Sequence, residues 1–132
     1  MASIFTKIIN KEIPGYIVAE EGKYLAFLDI HPIAKGHTLV VPKKEVDYIF
    51  DLDDETLSGL QIFSKKVALG IQKAIPCLRI GIAVVGLEVP HAHVHLVPLN
   101  SMFDIDFRKP KLKFTAEELN EIATQISGAI EN

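Results

Sequence analysis

The sequence predicts a single α+β domain: an antiparallel sheet of about five strands, one long helix and a C-terminal helix. Two observations predict this class. Short apolar runs are separated by tight-turn residues, as in antiparallel strands. One longer stretch, 53–75, has apolar residues at three- and four-residue steps, as in an amphipathic helix. Because only this long helix interrupts the strands, an antiparallel arrangement fits better than a series of βαβ units.

Composition predicts one ordered globular domain over residues 1–132. Hydrophobic residues make up 48% of the chain and charged residues 23%, which is typical of a protein with its own core. The net charge of -3 argues against a broad nucleic-acid surface. The single cysteine, Cys77, excludes an intrachain disulfide and indicates a reducing compartment. No stretch is apolar enough for a signal peptide or a membrane span, so we expect a cytoplasmic protein without nucleic-acid or membrane partners.

The N-terminal part of the chain predicts one helix and one β-hairpin. Apolar residues in 3–10 have helical spacing, and Ser3 can cap the first turn. Extended stretches at 16–20 and 24–30 follow, and Gly22 between them suits a tight reversal. The hairpin therefore begins the sheet.

The rest of the chain predicts further strands and the two longer helices. The helix at 53–75 begins among acidic residues and is stopped by Pro76. Thr115 and Glu118 have capping-box spacing, so residues 113–132 are expected to form a C-terminal helical extension. The remaining strands are predicted at 37–42, 79–85 and 91–97.

Three of the five histidines stand within the segment "HAHVHLV" at 91–97. Small or apolar residues alternate with them, which is the period of a half-buried strand. His91, His93 and His95 are therefore expected to share one face, while the apolar face packs on the core.

This row of imidazoles allows three interpretations. Two histidines at i and i+2 can bind one metal ion, but no second cluster of Cys, Asp or Glu accompanies them in the sequence. Neutral imidazole can instead attack phosphorus, with its other ring nitrogen held by a hydrogen bond and its neighbours donating to phosphoryl oxygens. Purely structural histidines are the third alternative, which a row of three on one strand face disfavours.

The segment "HAHVHLV" matches the His-φ-His-φ-His-φ-φ signature, with φ apolar, of the histidine triad nucleotide-binding family. Residues 3–46, "SIFTKIINKEIPGYIVAEEGKYLAFLDIHPIAKGHTLVVPKKEV", resemble the N-terminal half of that family. The resemblance implies a histidine-triad (HIT-like) fold and a homodimer in which two five-stranded sheets join. It does not extend to the helix after about residue 113.

The resemblance also implies roles for individual residues. His93 matches the nucleophile that accepts a nucleoside monophosphate, and His95 matches a phosphate-contacting histidine. His91 and His37 match the histidines that orient the cluster, although His37 alone in a strand would be read as structural. Asp29 matches the acidic residue that accepts hydrogen bonds from the ribose hydroxyls, since a carboxylate offers two acceptors.

Apolar residues that match the base-binding slot of the family could also be plain core residues by their spacing: Ile4, Phe5, Ile8, Ile13, Phe27, Leu28 and Ile30. Two positions depart from the family pattern. Leu87 and Glu88 stand where the family often has polar residues, so a phosphate donor is missing there. Glu88 remains a nucleotide-binding candidate, and it could donate a proton only if its pKa were raised well above about 4.3.

The resemblance, together with the row of imidazoles, implies a nucleotide-binding hydrolase or transferase that acts at the α-phosphate of a purine nucleoside phosphoramidate through a nucleotidyl-histidine, without a metal or cofactor. Cleavage of dinucleoside polyphosphates is the alternative within the enzyme class. A zinc-binding protein and a nucleotide-sensing interaction protein are the alternatives outside it.

Overall fold

A computed structural model describes residues 2–130 as a five-stranded antiparallel sheet with three α-helices. The strands lie in the order β1-β2-β3-β5-β4, so β1 and β4 are the two edges. Their bounds are β1 Ile17–Glu21, β2 Tyr24–Leu28, β3 Thr38–Pro42, β4 Arg79–Ala83 and β5 Val94–Leu99. The predicted α+β class and antiparallel sheet are confirmed.

The three helices begin at the residues whose side chains can cap them. Ser3, Asp53 and Thr115 each accept a hydrogen bond from a backbone N–H of the first turn. Thr115 and Glu118 form the predicted capping box. The helices are α1 Ile4–Ile9, α2 Asp54–Ala74 and α3 Ala116–Ala129, with short 3₁₀ turns at Ile49–Asp51 and Met102–Ile105. Within residues 2–130, none of the helices is long and apolar enough to cross a membrane.

One face of the sheet is covered by α2 and α3. Val40, Val94 and Leu96 point from the central strands into this core. The helices contribute residues from their apolar stripes, among them Leu60, Val67 and Ile71 of α2 and Leu119, Ile122 and Ile126 of α3. The C-terminal helix therefore packs into the same core as the rest of the chain over its described residues.

The opposite face of the sheet is covered by α1 and carries the histidines. Phe27, Leu39 and His95 stand side by side on neighbouring strands, because Phe27 pairs with Leu39 and Leu39 pairs with His95. Phe5 of α1 packs on this row, together with Leu25 and Val41. The site is thus built on three central strands and one short helix.

The histidine segment differs from the predicted strand in two ways. The strand β5 begins at Val94 and not at His91, because the backbone before it bonds to loops: the N–H of His91 donates to the carbonyl of Val89, and that of Ala92 to the carbonyl of Val46. The imidazole side is also not open to solvent, since all three rings are buried. The apolar side, with Ala92, packs in the core as expected.

Two other predicted strands are shorter in the structure. The stretch 24–30 leaves the ladder after Leu28, so Asp29 and Ile30 lie at the strand end, next to the histidines. The stretch 79–85 ends at Ala83, where the ladder with β5 stops at the pair Ala83 and His95. Residues 84–90 therefore form a connecting segment along the site.

Candidate active site

A cleft of about 410 Å³ opens on the histidine face of the sheet. It lies between α1, the end of β2, the connecting segment after β4 and the segment after β5. Every predicted site residue borders it except His91; those that do are Phe5, Ile8, Ile13, Phe27, Leu28, Asp29, Ile30, His37, Glu88, His93 and His95.

The tautomer of His93 is fixed by one backbone contact. Its Nδ1 lies 2.7 Å from the carbonyl oxygen of His91, and a carbonyl can only accept, so Nδ1 carries the hydrogen and donates it. In the neutral ring, Nε2 then holds a free lone pair. Phe5 packs against the same ring, with centroids 4.9 Å apart, and helps to hold its orientation. His93 therefore meets both requirements for an imidazole nucleophile that borders a cleft.

His37 and His95 form a second oriented pair. The backbone N–H of Ile33 donates to His37 Nδ1 at 3.2 Å, so neutral His37 carries its hydrogen on Nε2. That Nε2 lies 2.9 Å from His95 Nδ1 and donates to it. His95 must then carry its own hydrogen on Nε2, which makes it a hydrogen-bond donor beside His93. The left-handed Gly36, with φ of 91°, directs the chain into His37 just before β3.

Burial keeps the supporting imidazoles uncharged near neutral pH. It lowers the pKa of His95 to about 3, because the charged ring would lose its hydration. Burial likewise lowers the pKa of His37, although the carboxylate of Asp29 opposes the change. The pKa of His91 is also lowered by burial. A neutral His95 therefore carries a hydrogen on Nε2 that it can donate.

His91 lies behind the cleft and acts on it through its neighbours. Its Nε2 donates to the carbonyl of Pro42 at 2.7 Å, so Nδ1 is an acceptor and receives the Ser3 hydroxyl at 2.9 Å. The ring is fully buried. Because its backbone carbonyl holds His93 Nδ1, His91 positions the His93 ring, while its own side chain does not line the cleft.

Glu45 anchors the residues that hold His91. Its carboxylate accepts the Thr6 hydroxyl at 2.6 Å and the backbone N–H of Ser3 at 2.6 Å. These hydrogen bonds, from Thr6 first and then Ser3, lower the pKa of Glu45 to about 2. The negative carboxylate therefore ties the start of α1, which also carries Phe5, to the segment after β3.

Asp29 stands at the end of β2 with one oxygen available. Its Oδ1 accepts the backbone N–H of His31 at 2.9 Å, which fixes the carboxylate orientation. Its Oδ2 lies 3.7 Å from His37 Nε2. The side chain is half-buried and borders the cleft, so it can accept hydrogen bonds from a ligand hydroxyl.

The apolar residues predicted for the base slot divide into two groups. Phe5 and Phe27 are buried and pack edge to face, with centroids 5.4 Å apart, so they form a fixed floor. Ile8, Ile13 and Ile30 are more exposed and can contact a planar ligand. Leu28 borders the cleft but belongs to the core cluster under α2. Ile4 also borders the cleft.

The connecting segment after β4 forms an exposed wall of the cleft. Glu88 and Leu87 of this segment both line the cleft, and Leu87 is almost fully exposed. No described lysine or arginine stands on this wall. The wall therefore offers no cation to a phosphorylated ligand.

Sequence reasoning missed several cleft residues, and two of them, Phe107 and Lys111, lie far along the chain from the motifs used. The Phe107 ring packs on His95, with centroids 4.7 Å apart, and lies 6.1 Å from His37. Both residues belong to the irregular segment between β5 and α3, where no periodicity indicates which side chains turn inward. The basic composition of "FRKPKLKF" is the one signal that could have drawn attention to it.

One group of side chains has the spacing for a metal ion. Donor atoms of Asp29, His37 and His95 all lie within 4.8 Å of one another. The hydrogen bonds disfavour this use. His37 Nε2 would have to lose its hydrogen to bind a metal, and the hydrogen would move to Nδ1, which already faces the N–H of Ile33. The arrangement fits a hydrogen-bonded pair of imidazoles better than a ligand set.

Comparison with known proteins decides the family. The family model of the HIT domain matches residues 10–102, which include Asp29, His37 and the three histidines of the triad. The chain belongs to the HIT family. An uncharacterized HIT-like protein of Borreliella burgdorferi is 36% identical over 132 residues, covering 94% of this chain and 95% of the relative.

Two further relatives link the HIT chain to a named enzyme and a solved structure. The adenosine 5'-monophosphoramidase of Schizosaccharomyces pombe is 33% identical over 132 residues, covering 98% of this chain and 99% of that enzyme. A HIT-like protein from Bartonella henselae superposes with a TM-score of 0.84 at 33% identity, covering 97% of this chain and 96% of that one. The histidine-triad fold expected from the sequence is therefore confirmed.

Proposed function

We propose that this HIT protein is a nucleotide hydrolase that cleaves purine nucleoside phosphoramidates at the α-phosphate. The observation that carries the proposal is the 2.7 Å hydrogen bond from His93 Nδ1 to the carbonyl of His91. It leaves the Nε2 lone pair of a cleft-lining imidazole free to attack phosphorus.

The reaction proceeds in two steps. His93 Nε2 forms a bond to the α-phosphorus, the bond from phosphorus to the leaving amine breaks, and the amine takes up a proton from solvent. Water then attacks the nucleotidyl-histidine, which releases the nucleoside monophosphate and returns neutral His93. His95 donates from Nε2 to the phosphoryl oxygens, where charge builds up in both steps.

The remaining cleft suits the nucleoside part of such a substrate. The Phe5 and Phe27 floor, with Ile8 and Ile30 beside it, can hold a purine ring. Asp29 Oδ2 can accept hydrogen bonds from ribose hydroxyls. The choice of a purine phosphoramidate also draws on the 33% identity with the relative named adenosine 5'-monophosphoramidase.

Turnover of two substrate classes tests the proposal. Purified protein is given adenosine 5'-phosphoramidate and, separately, a diadenosine polyphosphate. We expect release of AMP from the phosphoramidate at the higher kcat/KM. Faster cleavage of the diadenosine compound would replace the proposed substrate class, and no release from either would leave a nucleotide-sensing role.

We further propose that the protein is a cytoplasmic homodimer joined through the β4 edge. In the described chain β4 pairs only with β5, so its other side has free backbone donors and acceptors. Ile82 of β4 is an exposed large apolar residue, and so is Leu69 of α2, a helix that contacts β4. A second copy pairing along β4 would cover such a surface.

A metal-binding role is the second candidate because Asp29, His37 and His95 approach one another closely. In that case zinc would replace the hydrogen bond between the two imidazoles. The site would then supply a metal-bound water for catalysis, or it would be a structural zinc site, and no histidine nucleophile would be involved.

A further inference from the structure

Lys111 borders the cleft although it lies outside the matched family domain. The domain match ends at residue 102, and Lys111 follows in the segment that leads to α3. Its Nζ lies 5.8 Å from the centroid of the Phe107 ring and donates to the Phe107 carbonyl at 3.1 Å. The side chain is exposed, and it forms no ion pair with any residue in the described range 2–130.

Phe107 connects Lys111 to the histidines. Its ring packs on His95 at 4.7 Å between centroids. After burial, the positive charge of Lys111 is among the causes that lower the pKa of both His95 and His37. The ammonium group is therefore close enough to the histidines to act on them electrostatically.

A phosphorylated ligand needs a positive charge in the cleft to offset its own negative charge. Apart from histidines, the charged residues of the lining are Asp29, Glu88 and Lys111. The two carboxylates repel a phosphoryl group, and the buried imidazoles are neutral donors. Lys111 is the one lysine or arginine in the described lining, so it alone can offset the charge of a bound phosphate.

We propose that Lys111 is a phosphate-binding residue that contacts the phosphoryl oxygens of a nucleotide held at His93 and His95. The proposal rests on the proposed function only in taking a nucleotide as the ligand. A lysine has a flexible four-carbon stem, so its ammonium can exchange the Phe107 carbonyl for a phosphoryl oxygen. Lys111 thereby supplies the donor that is missing from the wall at Leu87 and Glu88.

A paired binding measurement tests this role. The dissociation constants of AMP and of adenosine are measured by calorimetry for the wild-type protein and for Lys111→Met, which keeps a flexible apolar stem of similar length and removes the charge. We expect Lys111→Met to weaken AMP binding about tenfold, as for loss of one hydrogen bond to a charged group. Adenosine, which lacks the phosphate, should bind both proteins equally.

Two further variants complete the test. Lys113→Met removes the same charge from a nearby exposed lysine that does not line the cleft, and it should change neither constant. Lys111→Arg should keep the difference between AMP and adenosine. An equal loss for both ligands in Lys111→Met would mean that Lys111 only supports the segment around Phe107, and this would overturn the proposal.

The outcomes also separate this inference from the proposed function. Suppose that the wild-type protein binds AMP, that Lys111→Met weakens AMP binding selectively, and that no AMP is released from the phosphoramidate. This result would support the phosphate-binding role of Lys111 and overturn the proposed hydrolase activity. Turnover with unchanged AMP binding in Lys111→Met would support the hydrolase and overturn the role of Lys111. A wild-type protein that binds no AMP would overturn both.

Discussion

His37 Nε2 lies 2.9 Å from His95 Nδ1, and both rings are buried. The pair joins the start of β3 to the triad strand β5, although the two residues are 58 positions apart in the sequence. Since His37 is itself fixed by the N–H of Ile33, a backbone group determines which nitrogen of His95 carries the hydrogen. His37 is therefore a positioning residue for His95.

Replacing His37 tests this relay of hydrogen bonds. His37→Phe keeps an aromatic ring and removes both hydrogen bonds, so His95 can adopt either tautomer. We expect kcat to fall, and the fall should reach at most about 10²- to 10³-fold, the usual cost of losing one such donor. KM should change less. Steady-state kinetics with the phosphoramidate measure both constants.

The matched control is His31→Phe, which alters an exposed histidine beside Asp29. It should leave kcat close to the wild-type value. If His37→Phe also kept the wild-type kcat with an unchanged melting temperature, the hydrogen bond to His95 would have no part in the reaction.

The low pKa of His95 predicts a loss of stability in mild acid. In the folded protein burial lowers this pKa to about 3, whereas the unfolded ring titrates near 6.5. The unfolded chain therefore binds more protons below pH 6.5, and the free energy of unfolding falls as the pH drops towards 3. For His95 alone the expected loss between pH 7 and pH 5 is about 2 kcal/mol.

Urea unfolding at pH 7, 6 and 5 measures this dependence. His95→Gln removes the titrating group, so its free energy of unfolding should vary less with pH than that of the wild-type protein. Parallel pH curves for the two proteins would contradict the assignment of a buried, neutral His95.

Local sequence patterns were sufficient to predict most of the fold. The capping box of Thr115 and Glu118, and the apolar stripe of α2, depend on neighbouring residues alone and are both present. The strand predicted to begin at His91 was wrong, because its start is set by hydrogen bonds to Val46 and Val89 that alternation cannot reveal.

The site residues that belong to recognisable motifs could be predicted from the sequence. The triad and Asp29 were assigned from the resemblance, and the structure brings Asp29, His37, His93 and His95 to one cleft. Phe107 and Lys111 were missed because an irregular segment has no period that links a sequence position to a direction in space. Glu45 was missed because its partners Ser3 and Thr6 are about 40 residues away, too far for a local pattern.

The β4 edge predicts a homodimer that one substitution can break. Light scattering at micromolar concentration should give twice the mass of the chain for the wild-type protein. Ile82→Lys adds a charge to the exposed edge strand and should give the monomer mass. The control Ile17→Lys adds a charge to the exposed Ile17 of β1, the other edge, and should remain dimeric. A wild-type monomer, or a dimer lost only in the control, would contradict the β4 interface.

The imidazole tautomers predict activity that does not depend on a metal. Dialysis against a chelator should leave phosphoramidate turnover unchanged, and elemental analysis should find zinc well below one ion per chain. Zinc near one per chain that is lost together with activity would instead favour binding at Asp29, His37 and His95.

The most direct test of the central claim is the mass of the protein during turnover. With a substrate whose second step is slow, the wild-type protein should gain the mass of one nucleotidyl group, and peptide mapping should locate the group on His93. His93→Ala should form no adduct and lose several orders of magnitude in kcat, while it keeps affinity for adenosine through the base and ribose contacts. An adduct on His93→Ala, or one that maps to His91 or His95, would contradict the assignment of His93 as the nucleophile.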